Sequence, residues 1–170
     1  MIGGGIGVTP YASILSDLVY GTSTNRYRGV TCRKVYFLWI CPTHRSWEWF
    51  VDVLRSVEER DIMDVIDVHI FITQYFDNFD LRTMLLYICE KHFQSFFKRS
   101  IFTGLKAKNH FGRPQFAEIF KFVRAKHPRV NRVGVFSCGP PALTNSIGSA
   151  CAEVNTTRQL PNFMHFYENF

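Results

Sequence analysis

The sequence predicts an α/β fold, in which a mostly parallel sheet lies between two layers of helices. Short apolar runs alternate with segments of helical periodicity along the whole chain, which is the pattern of βαβ units. The runs are apolar at successive positions, as in strands that are covered on both faces. A glycine cluster stands directly before the first helical segment, where a strand-to-helix turn is expected.

Length and composition are those of one ordinary globular domain. The chain has 170 residues, 46% of them hydrophobic and 20% charged, which suffices for a core without disulfide bonds. No run approaches the ~18–20 apolar residues of a membrane-spanning helix, and no secretory signal is visible at the start. Five cysteines at irregular spacing indicate a reducing compartment. The net charge of +6 leaves a nucleic acid, a membrane surface, a polyanionic cofactor and ordinary surface charge open.

The glycine cluster indicates an anion site at the start of a helix. Its members fall within five positions: Gly3, Gly4, Gly5 and Gly7. Backbone without Cβ atoms approaches a ligand closely, and the free N–H groups of a helix's first turn attract anions. The spacing matches neither a Walker loop nor G-x-G-x-x-G, and the alternative is a tight turn that binds nothing. The preceding strand is missing or reduced to Ile2, so we expect a fragment of a longer protein or a truncated gene.

The predicted elements follow the glycine cluster in order. A first helix begins at Thr9, a good N-cap, and Pro10, which suits the first helical position. Strands are predicted over residues 35–41, 65–73 and 132–138, and helices over residues 46–60, 80–97, 116–126 and 142–154. Residues 21–33 and 98–114 are predicted to be irregular. Ligands of such sheets bind at the carboxyl ends of the strands, where residues 3–10, 42–45 and 138–140 are expected.

Three helices show an apolar stripe that is expected to face the sheet. The stripe of the first helix consists of Tyr11, Ile14, Leu15, Leu18 and Val19. The stripe of the helix over residues 46–60 consists of Trp49, Phe50, Val53, Leu54 and Val57. The stripe of the helix over residues 80–97 consists of Leu81, Leu85, Ile88 and Phe93.

The order of the motifs resembles the pyridine-nucleotide domain of the ferredoxin–NADP reductase superfamily. The resemblance rests on the Gly3-Gly4-Gly5-Ile6-Gly7-Val8-Thr9-Pro10 stretch, on Phe136-Ser137-Cys138-Gly139-Pro140 and on the aromatic C-terminus. Within that superfamily, residues 6–15, 47–49, 102–105, 111–114 and 168–170 are similar to the NADPH oxidases. Residues 79–90 and 165–170 look most like the dual oxidases. The resemblance covers essentially the whole chain.

The resemblance implies a role in electron transfer. NADPH would bind this domain and pass a hydride to FAD held by a preceding domain, and electrons would cross a membrane through haems to oxygen. Superoxide or hydrogen peroxide would result, and this domain would lie on the cytosolic side. The implied partners are NADPH, the FAD-binding and haem-membrane domains of the same chain and regulatory or maturation subunits, and no nucleic acid. Residues 1–170 are expected to be the NADPH-binding domain alone, which would not turn over by itself.

The resemblance also implies roles for particular residues. Those implied to cradle the pyrophosphate are Gly4, Gly5, Ile6, Gly7, Thr9 and Pro10. Cys138, with Gly139 and Pro140, is implied to lie beside the nicotinamide, whereas its spacing alone favours a small buried residue. Phe170 is implied to cover the flavin ring and to move before the nicotinamide stacks there.

Selection of NADPH over NADH calls for an arginine that binds the 2′-phosphate. The family usually has one where this chain has Pro42, so His44 or Arg45 is the first candidate and Arg113 the second. Solvated surface arginines are the alternative. Cys41 and His44 have a ligand-like gap without a second pair, so no metal site is expected.

Two other functions remain open at this stage. One is the nucleotide-binding part of a ferric or other flavoprotein reductase, which the Glu168-Asn169-Phe170 ending disfavours. The other is a module that binds the nucleotide or partner subunits without turnover. His69, Trp47 and Trp49 are expected to serve in packing.

Overall fold

A computed structural model of the chain describes residues 1–24, 32–43, 48–76 and 81–169. Its strands are β1 (Ile2–Gly4), β2 (Val35–Cys41), β3 (Ile66–Ile72), β4 (Lys108–Phe111), β5 (Arg132–Gly139) and β6 (Asn162–Asn169). Its α-helices are α1 (Thr9–Ser23), α2 (Glu48–Arg60), α3 (Leu81–Phe97), α4 (Phe116–Lys126) and α5 (Pro141–Asn155). Short 3-10 helices span Gly5–Val8 and Thr73–Phe76. Within these ranges, none of the helices has the length and hydrophobicity that a membrane span requires.

The six strands form one parallel sheet in the order β4-β3-β2-β1-β5-β6. The α/β prediction is therefore confirmed. After β1 the chain builds the sheet outward through β2, β3 and β4, and it then returns to the other side of β1 for β5 and β6. The order reverses between β1 and β5, and ligands of open parallel sheets bind in the crevice at such a reversal.

Helices cover both faces of the sheet and bury a separate core on each. On one face, α1 and α2 pack on β2, where the Trp39 ring lies edge-on to Phe50 at 5.2 Å. On the other face, α4 and α5 pack on β5, and the Phe120 ring stacks on Phe163 at 5.1 Å. Successive residues of β2 point to opposite cores, because side chains alternate along a strand.

Two strands were not predicted. β4 lies inside residues 98–114, which were predicted to be irregular, and β6 lies near the C-terminus, where no element was predicted. β4 is the four-residue run Lys-Asn-His-Phe, too short and polar for an apolar-run criterion. β6 is an edge strand whose Met164, Phe166 and Tyr167 are exposed. Pairing with β3 and β5, rather than local sequence, makes these segments strands.

The prediction for the apolar face of α3 was wrong. Leu85 is 54% exposed and Ile88 is 45% exposed, whereas Glu90 on the same helix is 1% exposed. Phe93 is half-buried, and the Leu81 side chain lies outside the described set. The helix is attached through polar groups: the Glu90 carboxylate accepts hydrogen bonds from Asn109 of β4 and from the Ile101 amide. Hydrophobic periodicity does not predict the buried face of a helix that is held by polar contacts.

The predicted apolar faces of α1 and α2 differ from the observed buried faces at single positions only. In α1, Tyr11, Leu15 and Val19 are buried as expected, and Ile14 is 41% exposed. In α2, Trp49 is 51% exposed and therefore does not serve the core as expected. The rest of its stripe is buried or half-buried: Phe50, Val53, Leu54 and Val57. Trp47 and the predicted cap Ser46 lie outside the described residues.

Candidate nucleotide site

The turn between β1 and α1 depends on glycine at two positions. Gly5 has φ +56°, a left-handed conformation that side chains with a Cβ disfavour. A Cβ on Gly3 would lie 2.5 Å from Val8 Cγ1 and 3.1 Å from Val8 Cα. The turn is also held from β2, because the Trp39 indole N–H donates to the Gly5 carbonyl at 3.2 Å. Tight folding of this turn places the start of α1 directly at the carboxyl end of β1.

A second glycine contact joins this turn to the end of β5. A Cβ on Gly4 would lie 2.5 Å from Leu143 Cδ2 and 3.3 Å from Pro140 Cδ. A Cβ on Gly139 would lie 3.4 Å from the Gly4 backbone. The two backbones approach each other at the reversal of strand order, so the predicted ligand segments 3–10 and 138–140 do meet.

Two helices begin beside this contact with their N-terminal dipole ends free of acidic side chains. α1 starts at Thr9 and α5 starts at Pro141, and neither has a side-chain cap or an acidic residue in its first turn. The dipoles of both helices therefore favour a negative group at this edge. Ile6, at the turn, is 67% exposed.

The prediction that Thr9 caps the first helix was wrong. Val8 occupies the N-cap position, and Thr9 is the first helical residue. The Thr9 hydroxyl donates backward to the Ile6 carbonyl at 2.6 Å, because the preceding 3-10 turn brings that carbonyl within reach. Pro10 lies in the first turn of α1, close to its predicted position. The Thr9 amide also donates to the Ile6 carbonyl and Pro10 has no N–H, so α1 attracts an anion here through its dipole rather than through these two positions.

Cys138 lies at the carboxyl end of β5 opposite Gly3. It is half-buried and carries a free thiol. Burial, helped by the Glu168 carboxylate, raises the pKa of this thiol. Burial likewise raises the pKa of the neighbouring Tyr11 phenol. Cys138 is therefore a neutral group at neutral pH, which suits contact with a ring and does not suit nucleophilic attack.

Arg113 follows β4 at the same carboxyl edge and is exposed. It forms no ion pair within the described residues. Since β4 lies three strand positions from β1, Arg113 is removed from the glycine turn by about 14 Å of sheet. The other candidates, His44 and Arg45, lie outside the described residues, as does Phe170.

A side-chain hydrogen bond near the end of β6 was not predicted from the sequence. The buried Thr144 hydroxyl of α5 donates to the Asn169 side-chain oxygen at 2.7 Å. This bond fixes the last described residue of β6 over the first turn of α5, next to Phe170. The Glu-Asn-Phe ending was the available signal, but Thr144 has no sequence pattern of its own.

The expected packing role of His69 fits its surroundings. His69 Nδ1 lies 2.9 Å from His110 Nε2, and the two rings stack at 5.2 Å. Among the described residues, no group of three His, Cys, Asp or Glu side chains is arranged to hold a metal ion.

The sequence resembles known proteins along its whole length. The profile of the ferric reductase NAD-binding domain matches residues 1–152. The chain is 67% identical to the dual oxidase of Drosophila melanogaster over 170 residues, which are 100% of this chain and 11% of that protein. Identity is 54% over 171 residues with dual oxidase 1 of Caenorhabditis elegans and 50% over 170 residues with dual oxidase 2 of Homo sapiens, again 100% of this chain and 11% of each relative. Since the matched region includes the entire glycine turn and the end of β5, the chain belongs to the ferric reductase NAD-binding domain family.

Proposed function

We propose that this chain binds NADPH and donates its hydride to a flavin within a longer, membrane-bound oxidase that forms superoxide or hydrogen peroxide. The observation that carries the proposal is the backbone contact of Gly4 with Gly139, set between two helix N-termini without acidic side chains. The close packing of these two backbones brings both helix N-termini to one end of the sheet, which suits the pyrophosphate of a dinucleotide. The similarity to dual oxidases supports the oxidase reaction.

In this proposal the turn after β1 binds the pyrophosphate. The residues involved are Gly4, Gly5, Ile6, Gly7, Thr9 and Pro10. Cys138, Gly139 and Pro140 border the nicotinamide, where a neutral thiol adds no charge next to the ring. When bound, NADPH supplies the hydride. The chain orients the donor, since transfer requires the nicotinamide and the flavin to be in contact.

The remaining parts of the reaction belong to other domains of the longer protein. FAD and haem would be held there, and this domain would lie on the cytosolic side of the membrane. Phe170 would cover the flavin until the nicotinamide replaces it, while the Thr144–Asn169 bond holds its neighbour in place. Residues 1–170 would then form the NADPH-binding domain.

Arg113 is proposed to select NADPH by binding the 2′-phosphate, together with His44 or Arg45. Arg113→Ala is expected to weaken NADPH binding about 10- to 100-fold, since the pair is a charge-assisted hydrogen bond. NADH, which lacks this phosphate, should lose less than about threefold. Isothermal titration of both nucleotides against the chain measures the two losses.

Arg129→Ala is the matched control, because Arg129 is also exposed but lies before β5, at the opposite edge of the sheet. It should leave both affinities unchanged. Equal losses for NADPH and NADH in Arg113→Ala would contradict the phosphate role. No heat released and no thermal stabilisation at millimolar NADPH would contradict nucleotide binding itself.

The description of the matching family favours a second candidate, a ferric reductase. Oxidase and reductase differ in the final electron acceptor, so the longer protein distinguishes them. Oxygen consumption with NADPH, unaffected by ferric chelates, supports the oxidase. Chelate reduction that continues without oxygen, combined with little peroxide formed in air, supports the reductase.

A further inference from the structure

The predicted apolar stripe of α3 faces away from the sheet. Gln94 donates to the Glu90 carboxylate at 2.8 Å and to the Ala107 carbonyl at 3.1 Å, so α3 is attached along a polar line. A helix turns by about 100° per residue, which puts Leu85 and Ile88 about 140–160° around α3 from Glu90. Both side chains are exposed. This apolar side of α3 is therefore open to solvent in the described chain.

The exposed apolar surface continues to the end of α3 and into the turn that follows. Nine large apolar side chains between residues 84 and 102 are exposed, and Phe96, at 77%, and Phe97, at 65%, are the most exposed of them. A helix that is apolar around most of its circumference is normally covered on more than one side. An exposed apolar cluster of this extent marks an interaction site. The outer surface of α3 consists of Met84, Leu85, Ile88, Phe96, Phe97 and Ile101.

The charges around the outer surface of α3 are positive. Its exposed basic neighbours are Lys91, Lys98, Arg99 and Lys106. Between residues 84 and 106 the one acidic residue is Glu90, which is buried. Arg99 is paired with Glu58 of α2 at 3.3 Å, whereas Lys91 forms no ion pair with any described residue. This pattern favours an anionic partner and disfavours a second copy of the chain, which would bring the same cations together.

The shape of the outer surface favours a bilayer over a groove in another protein. Met84 and Phe96 lie about 120° from Glu90 on opposite sides of α3, so the apolar surface is broad and convex. A protein groove binds a helix through apolar anchors at i, i+3, i+4 and i+7. That series is interrupted here, because the exposed His92 and Ser95 lie between Ile88 and Phe96. The fluid, hydrated headgroup region of a bilayer accommodates such polar side chains.

We propose that the outer surface of α3 binds the headgroup region of a membrane that contains anionic phospholipids. Helices that lie in this region combine Leu, Ile and Phe side chains with flanking Lys and Arg, and basic residues near an anionic leaflet strengthen the binding. Ile88 and Phe96 would enter the boundary of the acyl chains, and Lys91 would contact lipid phosphates. Lipid binding requires neither nucleotide nor flavin and is thus independent of the proposed hydride transfer.

The first test measures sedimentation of the chain with unilamellar vesicles. One vesicle type is pure phosphatidylcholine, and the other also contains about 30% phosphatidylserine. The chain should partition at least about tenfold more strongly onto the anionic vesicles, and about 0.5 M salt should weaken that partitioning. No sedimentation with anionic vesicles at millimolar lipid would overturn the proposal.

The second test removes apolar side chains from the outer surface. Ile88→Ser combined with Phe96→Ser should lower partitioning onto anionic vesicles at least about tenfold. Both side chains are exposed, so the urea midpoint should not fall. Ile14→Ser combined with Phe122→Ser is the matched control, since it removes the same exposed side-chain types from α1 and α4. Equal losses in the two double variants would overturn the proposal.

The third test changes the charge next to the outer surface. Lys91→Glu should lower partitioning onto anionic vesicles about tenfold. Arg129→Glu changes the net charge equally at an exposed position before β5, and it should cost less than about threefold. A loss in Lys91→Glu without any loss in the Ile88→Ser and Phe96→Ser double variant would mean adsorption by charge alone. That result would also overturn the proposal.

The last test reports insertion directly. Lipids that carry bromine on their acyl chains should quench the indole of Phe96→Trp and leave that of Phe122→Trp unquenched. The three native tryptophans are common to both variants and cancel in the comparison. Equal quenching in both variants would overturn the proposal. So would a stable dimer in the absence of lipid that Phe96→Ser dissociates, because a second copy would then cover this surface.

Discussion

Gly3→Val is expected to abolish measurable NADPH binding and to lower the free energy of unfolding by about 2–3 kcal/mol. The added Cβ would lie 2.5 Å from Val8 Cγ1 and 3.2 Å from the Val8 amide nitrogen. Val8 is fully buried, so it has no free space into which to move. The turn must therefore shift as a unit, and this displaces the backbone of Gly5 and the start of α1 from the proposed phosphate position.

Two comparisons assign this effect to the turn. Val8→Ala in the Gly3→Val background removes the closest contact but leaves the clash with the Val8 backbone, so the double variant should recover only part of the stability. Gly148→Ala is the matched control, since its Cβ would lie 3.3 Å from His165 Nδ1, within a helix that favours alanine. Urea unfolding measures the free energy of unfolding, and NADPH titration measures the affinity for the nucleotide. Full NADPH affinity in Gly3→Val would contradict the phosphate role of the turn.

Glu90→Gln is expected to lower the free energy of unfolding by about 3 kcal/mol. The buried carboxylate accepts hydrogen bonds from Gln94 at 2.8 Å, from Asn109 at 2.7 Å and from the Ile101 amide at 2.8 Å. All three partners are donors. A glutamine amide offers one acceptor oxygen, so its N–H₂ group would face either the Ile101 amide or the Gln94 and Asn109 side-chain amides, which would have to turn in order to accept from it.

The expected consequence is local release of α3, because Glu90 is its main buried attachment to β4. Hydrogen exchange should accelerate in residues 84–105 and remain unchanged in the glycine turn. Glu118→Gln is the control: Glu118 is exposed and bonds only Lys121 among the described residues, so this variant should leave the free energy of unfolding nearly unchanged. Equal stability of Glu90→Gln and the wild-type chain would show that the carboxylate is dispensable.

The strongest local signals in the sequence sufficed for the central part of the fold. β2 has the predicted bounds, and β5 extends one residue past its prediction. Both are apolar runs buried on two faces, which is the condition under which hydrophobicity alone specifies a strand. α4 also has its predicted bounds, since its apolar face and the proline after His127 are both local.

The site could be predicted only in outline. The glycine cluster and the Cys138-Gly139-Pro140 stretch were both assigned to the carboxyl edge, because parallel strands all end there. Their mutual contact depends on β1 and β5 being neighbours, which no local pattern expresses. The close contact between Gly3 and Val8 could not be predicted for the same reason. A glycine-rich sequence does not indicate which residues will pack against each glycine.

The sequence by itself determined the alternation of strands and helices, the glycine turn and the family, because these reside in residues close along the chain. Tertiary structure alone decided that β4 and β6 are strands and that Glu90 rather than Leu85 is buried. The physical reason is the same in each case. Strand pairing and the hydrogen bonds of buried polar groups depend on partners that are distant in sequence. The free energy of those contacts outweighs local propensity.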